Sequence, residues 1–177
     1  VVKISIDRSY NGEGGRGRTT IGDDGHGMKD GEGIQAFYDI GGSEKREMKE
    51  RGELTPEGRT PIGSFGWGTL ATRYLGTVCT LESWKGETYT TIREVFTPDD
   101  KDTDEHEAGE GVYTGNKQGT RTTLTGLKFL SNEDAFTDNE LRAALEDNID
   151  VEGLGVSIYV NGTLVEPFVV KNPTRYQ

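Results

Sequence analysis

Three short segments carry residue types that could hold a flat ligand with phosphate groups: 23–28, 63–68 and 119–120. The Asp23 carboxylate only accepts hydrogen bonds and therefore suits an exocyclic amine. Gly25 and Gly27 lack a Cβ, so the backbone beside this carboxylate can turn tightly against a flat ring. Met28 offers an adaptable apolar surface. The Thr120 hydroxyl could hydrogen-bond the same carboxylate or a bridging water, which predicts a shared pocket for a heterocyclic base.

The middle segment, Gly63-Ser64-Phe65-Gly66-Trp67-Gly68, has the composition of an anion-binding loop. Phosphates bind where backbone N–H groups converge, preferably at the N-terminus of a helix. The apolar spacing of Thr69–Leu75 predicts a helix directly after these glycines. The sequence therefore predicts a phosphate site next to the base pocket.

Other nucleotide, metal and hydrolase motifs are missing or incomplete. There is no Walker P-loop, no kinase His-Arg-Asp motif, no HExxH and no GxSxG. An EF-hand starting at Asp23 fails, because Gly25 occupies its second ligand position. Residues 12–17 match GxGxxG, but the extended character of 19–21 favours a plain hairpin over a dinucleotide loop. His106 lies in an acidic run, which indicates a solvated surface rather than a metal site.

The composition sets the broad class of the protein. The chain has 177 residues, 31% hydrophobic residues and a net charge of -11, which predicts one acidic domain without direct nucleic-acid binding. The charge favours solubility, with adaptation to high salt as the alternative. Cys79 is the single cysteine, which excludes an internal disulfide and a cysteine zinc site. No membrane span or signal peptide is visible, so we expect no membrane partner and a cytoplasmic protein.

The hydrophobic pattern predicts an α+β fold: a two-layer sandwich with a mostly antiparallel mixed sheet and helices on one face. Strands are predicted at 1–7, 18–21, 76–84, 87–95, 119–127, 154–160 and 163–170, the last two around the Asn161-Gly162 turn. Helices are predicted at 30–40, 69–75 and 137–149, the last with a Thr137/Glu140 capping box. The helix at 30–40 is expected to pack through Ile34, Phe37 and Tyr38. Long polar loops are predicted at 41–62 and 97–111.

Four segments in order resemble the GHKL superfamily of ATP-binding domains (Bergerat fold), which includes gyrase B, heat-shock-type chaperones, histidine kinases, MutL and MORC ATPases. Asp23–Met28 is similar to the DxGxG box, with Asp24 where Asn or Thr is usual. Gly63–Gly68 resembles the GxxGxG box, and Gly119-Thr120 the Gly-Thr box. Gly42–Arg46 resembles the Ser-x-Lys element that opens the lid in the chaperone, MutL and MORC branches.

The resemblance implies an ATP or ADP site and a role for each matched residue. Asp23 would bind the adenine amine, with Thr120 and Gly27 supporting it through water and Met28 packing on the base. The implied nucleotide-binding residues are Asp23, Gly25, Gly27, Met28, Ser43, Lys45, Gly63, Ser64, Phe65, Gly66, Trp67, Gly68 and Thr120.

The resemblance also implies a lid over the phosphates, formed by 41–62. Lys45, in the element that begins at Ser43, would reach a phosphate when this lid closes. Asp24 would place a second negative charge beside Asp23, and a buried pair of carboxylates would raise one pKa. We therefore expect Asp24 to point to solvent.

Family members place a helix before the first strand, carrying a Mg²⁺ ligand and a catalytic base. No segment from Val1 onward resembles it, so we expect the domain to span 1–170 without that helix, followed by a tail or linker at 171–177. The catalytic residues stay unknown, with Glu32 the first carboxylate to test. Mg²⁺ and dimerisation on nucleotide binding are expected from the family, and no output domain or client is identified. The alternatives are a non-catalytic interaction module with this fold and the ATP-binding domain of a histidine kinase.

Overall fold

A computed structural model describes residues 1–28, 31–38, 44–55, 58, 68–96, 105–112, 114–115, 117–131 and 136–167. For residues 32, 33, 36, 44, 45, 68–70, 105, 106 and 131 it describes the backbone alone. The strands are β1 (Val2–Gly12), β2 (Gly15–Asp23), β3 (Val78–Lys85), β4 (Thr88–Val95), β5 (Glu105–Val112), β6 (Gly119–Thr125), β7 (Ile158–Val160) and β8 (Thr163–Leu164). The helices are α1 (Glu32–Tyr38), α2 (Glu44–Glu50), α3 (Gly68–Leu75) and α4 (Asp138–Asn148), with a 3₁₀ turn at Lys128–Ser131.

These strands form one sheet in the order β5-β4-β3-β6-β2-β1-β7-β8. Neighbouring strands are antiparallel, except that β1 and β7 are parallel. The mostly antiparallel mixed sheet of the predicted α+β fold is confirmed. The order brings β2 and β3 to either side of β6, so segments far apart in sequence meet at one end of the sheet.

The β1–β2 hairpin follows from its alternation of apolar and polar residues. Val2, Ile4 and Ile6 face the core, and Ile6 is buried. The turn between the strands lies at Glu13-Gly14, where Gly14 has a φ of 78°. Because the glycine-rich run continues into an extended β2 rather than a helix, the rejection of a dinucleotide loop is confirmed.

The main core lies on one face of the sheet, beneath helices. It contains Cys79 and Leu81 of β3, Ile92 of β4 and Leu124 of β6, and Phe37 of α1 closes over them. Leu141 of α4 packs against this cluster and against a second hydrophobic cluster, which includes Ile158 and Val160 of β7. The two-layer arrangement is therefore built from inward residues of the central strands and the apolar sides of α1 and α4.

Two local predictions near the C-terminal end of the chain are confirmed, the capping box and the hairpin turn. Thr137 and Glu140 form the capping box, with the Glu140 N–H donating to Thr137 Oγ1 at 3.2 Å. Asn161 and Gly162 both have positive φ, 45° and 82°, as a two-residue hairpin turn requires. The flanking strands β7 and β8 are shorter than predicted.

Three expectations were wrong. The loop predicted at 41–62 contains helix α2, and the acidic loop predicted at 97–111 contains most of strand β5. Neither segment has an apolar stripe, which is the signal that sequence patterns rely on. Tyr38 is not a core residue: it is 40% exposed, while Phe37 beside it is buried.

Among the described residues, no helix is both long and apolar enough to cross a membrane.

Candidate functional site

Asp23 ends β2, and its carboxylate shapes the loop that follows. Asp23 Oδ1 accepts a hydrogen bond from the Gly25 N–H at 2.9 Å, which makes a local turn of the Asx type. This bond occupies one carboxylate oxygen, and the Asp23 side chain is exposed. A carboxylate held in this way can still accept from an external amine through its second oxygen.

Gly27 is buried because the loop passes very close to the end of β3. A Cβ at this position would lie 2.0 Å from the Trp84 carbonyl oxygen, and φ is 67°. Gly119 is equally constrained: its φ is 107°, and a Cβ there would lie 2.1 Å from the Asp23 carbonyl oxygen. Only glycine allows these two backbone contacts, so the segments 23–28 and 119–120 are brought together, as the sequence predicted.

Ser83 on β3 joins these two segments through its hydroxyl. The Met28 N–H donates to Ser83 Oγ at 2.8 Å, and Ser83 Oγ lies 3.4 Å from both the Gly119 carbonyl oxygen and Thr120 Oγ1. The Ser83 side chain is fully buried. A buried hydroxyl without these partners would be costly, so the network fixes the positions of Met28 and Thr120 together.

Ser83 was not predicted as a site residue, although its position in the alternation of β3 marks it as unusual. Cys79, Leu81 and Ser83 alternate along β3 and all face the core, so Ser83 is a polar residue at an inward position. Such a residue needs partners, and the nearest ones come from distant parts of the chain. Met28 is itself partly buried and packs on the core. Its role as an apolar surface for a base stays a prediction.

Helix α3 begins at Gly68, one residue before the predicted start at Thr69, and is held in place by charged groups. Arg73 Nη2 lies 3.8 Å from Glu94 Oε1, and Glu94 is only 1% exposed on β4. The Arg73 guanidinium also lies over the Phe96 ring, and Lys128 Nζ donates to the Arg73 carbonyl oxygen at 2.7 Å. These contacts hold the helix that follows the predicted phosphate loop against β4.

Glu94 also connects α3 to α1. Burial raises the pKa of the Tyr38 hydroxyl, and the neighbouring Glu94 carboxylate raises it further, because a negative charge disfavours phenolate. The end of α1, which follows the base loop, and the middle of α3, which follows the phosphate loop, therefore meet at one buried carboxylate.

The remaining predicted residues lie partly outside the described residues. Ser43 and the run Gly63-Ser64-Phe65-Gly66-Trp67 are not described, and Lys45 and Glu32 are described by their backbones in α2 and α1. Asp24 is exposed, as expected, with its side chain 67% accessible. A hydrogen bond from the Val1 ammonium to Asp24 Oδ1, at 2.5 Å, lowers the pKa of this carboxyl.

The described residues contain no group of three or more His, Cys, Asp or Glu side chains placed to hold a metal ion. The His106 side chain is among those not described, so the metal alternative for its acidic run stays untested. What the described arrangement provides is an exposed carboxylate, a glycine backbone, a methionine and a threonine hydroxyl at one end of the sheet.

The structure thus combines a sheet covered by helices on one face with a carboxylate, glycines and a threonine that lie together at one end of the sheet. The sequence profile of the family described as "Histidine kinase-, DNA gyrase B-, and HSP90-like ATPase" matches residues 1–122. The chain belongs to this family and is a GHKL superfamily ATP-binding domain.

Solved structures agree on the fold. The ATPase region of Saccharomyces cerevisiae topoisomerase II is similar with a TM-score of 0.60 at 13% identity, covering 93% of this chain and 42% of that chain. The ATPase and transducer domains of DNA topoisomerase II from Balamuthia mandrillaris give a TM-score of 0.60 at 16% identity, covering 94% of this chain and 42% of that chain. This chain therefore spans less than half the length of these two structures. No curated protein matches it.

Proposed function

We propose that the chain binds adenine nucleotides, with the base against Asp23, Met28 and Thr120. The observation that carries the proposal is the Ser83 network, which joins the Met28 backbone to Thr120 beside the exposed Asp23 carboxylate. An acceptor-only carboxylate recognises the adenine amine, and a buried polar network beside it gives the pocket a fixed shape. Gly25 and Gly27 let the ring approach the backbone closely.

In this proposal the phosphates lie at the start of α3, held by backbone N–H groups of Gly63, Ser64, Phe65, Gly66, Trp67 and Gly68. The glycine content and the helix that begins at Gly68 support this position. The anchoring of α3 on Glu94 through Arg73 supports it further, because a phosphate-binding helix must hold a fixed distance from the base pocket.

The segment 41–62 forms the lid, with Ser43 and Lys45 in its first part. The helix α2 within it is strongly charged, and its side chains from Arg46 to Glu50 are mostly exposed. A segment that buries so little apolar surface opens at low cost, and contact between Lys45 and a terminal phosphate would order it. Hydrogen exchange of 41–62 with and without a non-hydrolysable ATP analogue measures this, and equal protection in both states contradicts it.

We assign no Mg²⁺ ligand and no catalytic base. Among the described residues, no three His, Cys, Asp or Glu side chains are grouped to hold a metal ion. Phosphoryl transfer to water needs a charge-neutralising cation and a group that positions the water. We therefore expect this chain alone to bind nucleotide without appreciable turnover. Mg²⁺-dependent phosphate release that is abolished by Glu32→Gln would show that α1 carries the missing base.

Calorimetric titration with ADP and with the ATP analogue, each with and without Mg²⁺, tests the proposed function. Circular dichroism of the same sample establishes that it is folded. We expect saturable binding of both nucleotides, and sedimentation in their presence tests the expected dimer. A folded sample that binds neither nucleotide would refute the proposal.

A second candidate is a non-catalytic interaction module, which the net charge of -11 favours. Self-repulsion at this charge destabilises the folded state and is screened by salt. This candidate, in its form adapted to high salt, predicts a melting temperature that rises strongly with salt concentration. A melting temperature that does not change with salt, together with tight ADP binding, would decide for the ATP-binding function.

A further inference from the structure

Strand β4 carries a charged residue at an inward position. Thr90, Ile92 and Glu94 alternate along the strand and face the core, and Glu94 is only 1% exposed. In the sheet Glu94 lies opposite Cys79 of β3, which is also buried. Carboxylates are almost never fully buried unless they are paired, so the position of Glu94 calls for partners.

Side chains from two different helices reach this carboxylate. Arg73 Nη2 of α3 lies 3.8 Å from Glu94 Oε1, and the hydroxyl of Tyr38, the last residue of α1, is hydrogen-bonded to Glu94. Both partners are partly open to solvent, with the Arg73 side chain 41% accessible and Tyr38 40% exposed. The buried carboxylate therefore joins α1 to α3.

The second half of α3 is held by further contacts around Arg73. The Arg73 guanidinium lies over the Phe96 ring, with Cζ 5.1 Å from the ring centroid, and Lys128 Nζ donates to the Arg73 carbonyl oxygen at 2.7 Å. The hydroxyl of Thr72 is hydrogen-bonded to the side chain of Cys79. The position of α3 is therefore set near its C-terminal end, by contacts with β3, β4 and the 3₁₀ turn.

The position of Arg73 determines that of Gly68, where α3 begins. At about 1.5 Å per residue, Gly68 lies about 7.5 Å along the helix axis from Arg73. A tilt of the helix by about 10° around Arg73 would move Gly68 by about 1.3 Å. Because N–H···O bonds span only about 2.7–3.2 Å, a shift of this size would break hydrogen bonds from the start of the helix to a bound phosphate.

Helix α1 connects the same carboxylate to the base side of the proposed site. It begins shortly after Met28, and the Gly31 N–H just before it donates to the carboxylate of Glu110 on β5. At its other end Tyr38 is hydrogen-bonded to Glu94. One residue of β4 thus fixes both the helix that follows the proposed base pocket and the helix whose start is proposed to hold the phosphates.

We propose that Glu94 is a positioning residue of the nucleotide site: it fixes the distance between the start of α3 and the base pocket, and so determines how much the phosphates add to the affinity for the base. This inference rests on the proposed function. Glu94 is buried and paired, so it acts through Arg73 and Tyr38 rather than by contact with the nucleotide. Loss of either contact should weaken ADP more than adenosine, because adenosine carries no phosphate to misalign.

Two variants each remove one contact of Glu94. Glu94→Gln removes the charge that attracts Arg73, which stays partly solvated, but keeps an oxygen that accepts from the Tyr38 hydroxyl. Tyr38→Phe removes the hydroxyl and leaves the carboxylate with Arg73. Val165→Ala is the control: it opens a cavity in the second hydrophobic cluster, none of whose described members belongs to α1 or α3.

NMR titration of the isotope-labelled 177-residue chain measures the affinities for ADP and for adenosine, because it detects weak binding as well as tight binding. The same spectra establish that each variant is folded. We expect the parent chain to bind ADP more tightly than adenosine. Glu94→Gln and Tyr38→Phe should each reduce the ratio of the two affinities by about threefold or more, in line with the net contribution of one hydrogen bond or ion pair. Val165→Ala should lower the melting temperature and keep the ratio of the parent chain.

An unchanged ratio in either folded variant, with a parent chain that binds both ligands, would overturn the positioning role and leave the proposed function intact. Equal weakening of ADP and adenosine would also overturn it, since a purely structural role predicts that result. Binding of ADP without binding of adenosine would overturn it as well, because the base would then have no separate affinity. A folded parent chain that binds neither ligand would refute the proposed function itself, and the positioning role with it.

Discussion

The Met28 N–H donates a hydrogen bond to Ser83 Oγ at 2.8 Å and so ties the loop after β2 to the buried side of β3. The two residues are 55 positions apart in the chain. Thr120 Oγ1 lies 3.4 Å from the same hydroxyl, so one side chain holds both walls of the proposed base pocket. The stability of the sheet and the shape of the pocket therefore depend on the same atom.

Ser83→Ala should destabilise the chain by about 1–3 kcal/mol, because it leaves the Met28 N–H without its partner. Thr90→Val is the matched comparison. Thr90 pairs with Ser83 across β3 and β4 and is equally buried, yet among the described residues its hydroxyl has no hydrogen-bond partner. Thr90→Val should therefore be neutral or stabilising. Urea unfolding of both variants measures the difference, and equal losses would contradict the assigned network.

Gly27→Ala should lower the free energy of unfolding by more than the strain of an alanine in the left-handed conformation can explain. Gly27 and Gly86 have similar φ values, 67° and 61°, but a Cβ at Gly86 meets nothing within 4 Å. Gly86→Ala should cost about 1–2 kcal/mol from the left-handed conformation alone. Gly27→Ala adds the clash with the Trp84 carbonyl, and should exceed the control by about 1–3 kcal/mol. Urea unfolding of the two variants gives the comparison, and equal costs would show that the loop moves aside freely.

The N-terminus of α4 predicts a specific acid sensitivity. Asp138 accepts hydrogen bonds from Asn161 Nδ2 and from Arg8 Nη1, each at 2.6 Å, and these lower the pKa of its carboxyl. A carboxyl with a lowered folded-state pKa stabilises the fold above its unfolded pKa of about 3.9. This contribution disappears as the pH falls from about 5 through the folded-state pKa.

Asp138→Asn should therefore flatten the decline of the unfolding free energy over this acid range. Denaturant unfolding at a series of pH values measures the slope. Asp147→Asn, an exposed position on the same helix, is the control and should keep the slope of the parent chain. An unchanged slope in Asp138→Asn would show that the bonds to Asn161 and Arg8 do not persist in solution.

Local signals in the sequence predicted much of this fold correctly. The Thr137 capping box and the Asn161-Gly162 turn were correct because both depend on residues adjacent in the chain. Helix α2 was missed because it has no apolar stripe. Its surface carries ion pairs one turn apart, such as Arg46 with Glu50 at 3.9 Å. Strand β5 was missed because its side chains do not alternate between apolar and polar residues. It lies at the edge of the sheet and pairs with β4 through backbone hydrogen bonds.

Only the part of the candidate site that has short sequence patterns could be predicted. Asp23, Gly27 and Thr120 follow recognisable short patterns, and the structure brings them together. Ser83 has no local pattern: its role exists only because β3 and β6 are neighbours and the loop after β2 crosses their ends. Long-range pairing of this kind cannot be deduced from a window of adjacent residues.

The proposed function depends above all on the Asp23 carboxylate, which we expect to recognise an exocyclic amine on the base. Asp23→Asn keeps an oxygen for the Gly25 N–H, so the turn survives, but it replaces the second acceptor with a donor. Asp24→Asn makes the same change in charge one residue away, on an exposed side chain.

The most direct measurement compares ADP with inosine diphosphate, in which a carbonyl oxygen replaces the amine, by calorimetry on the parent chain and both variants. The parent chain and Asp24→Asn should prefer ADP by about tenfold or more, because inosine leaves an acceptor facing the carboxylate. Asp23→Asn should lose or reverse that preference, since its amide can donate to the carbonyl. An unchanged preference for ADP in folded Asp23→Asn would contradict the assignment of Asp23 as the residue that reads the base.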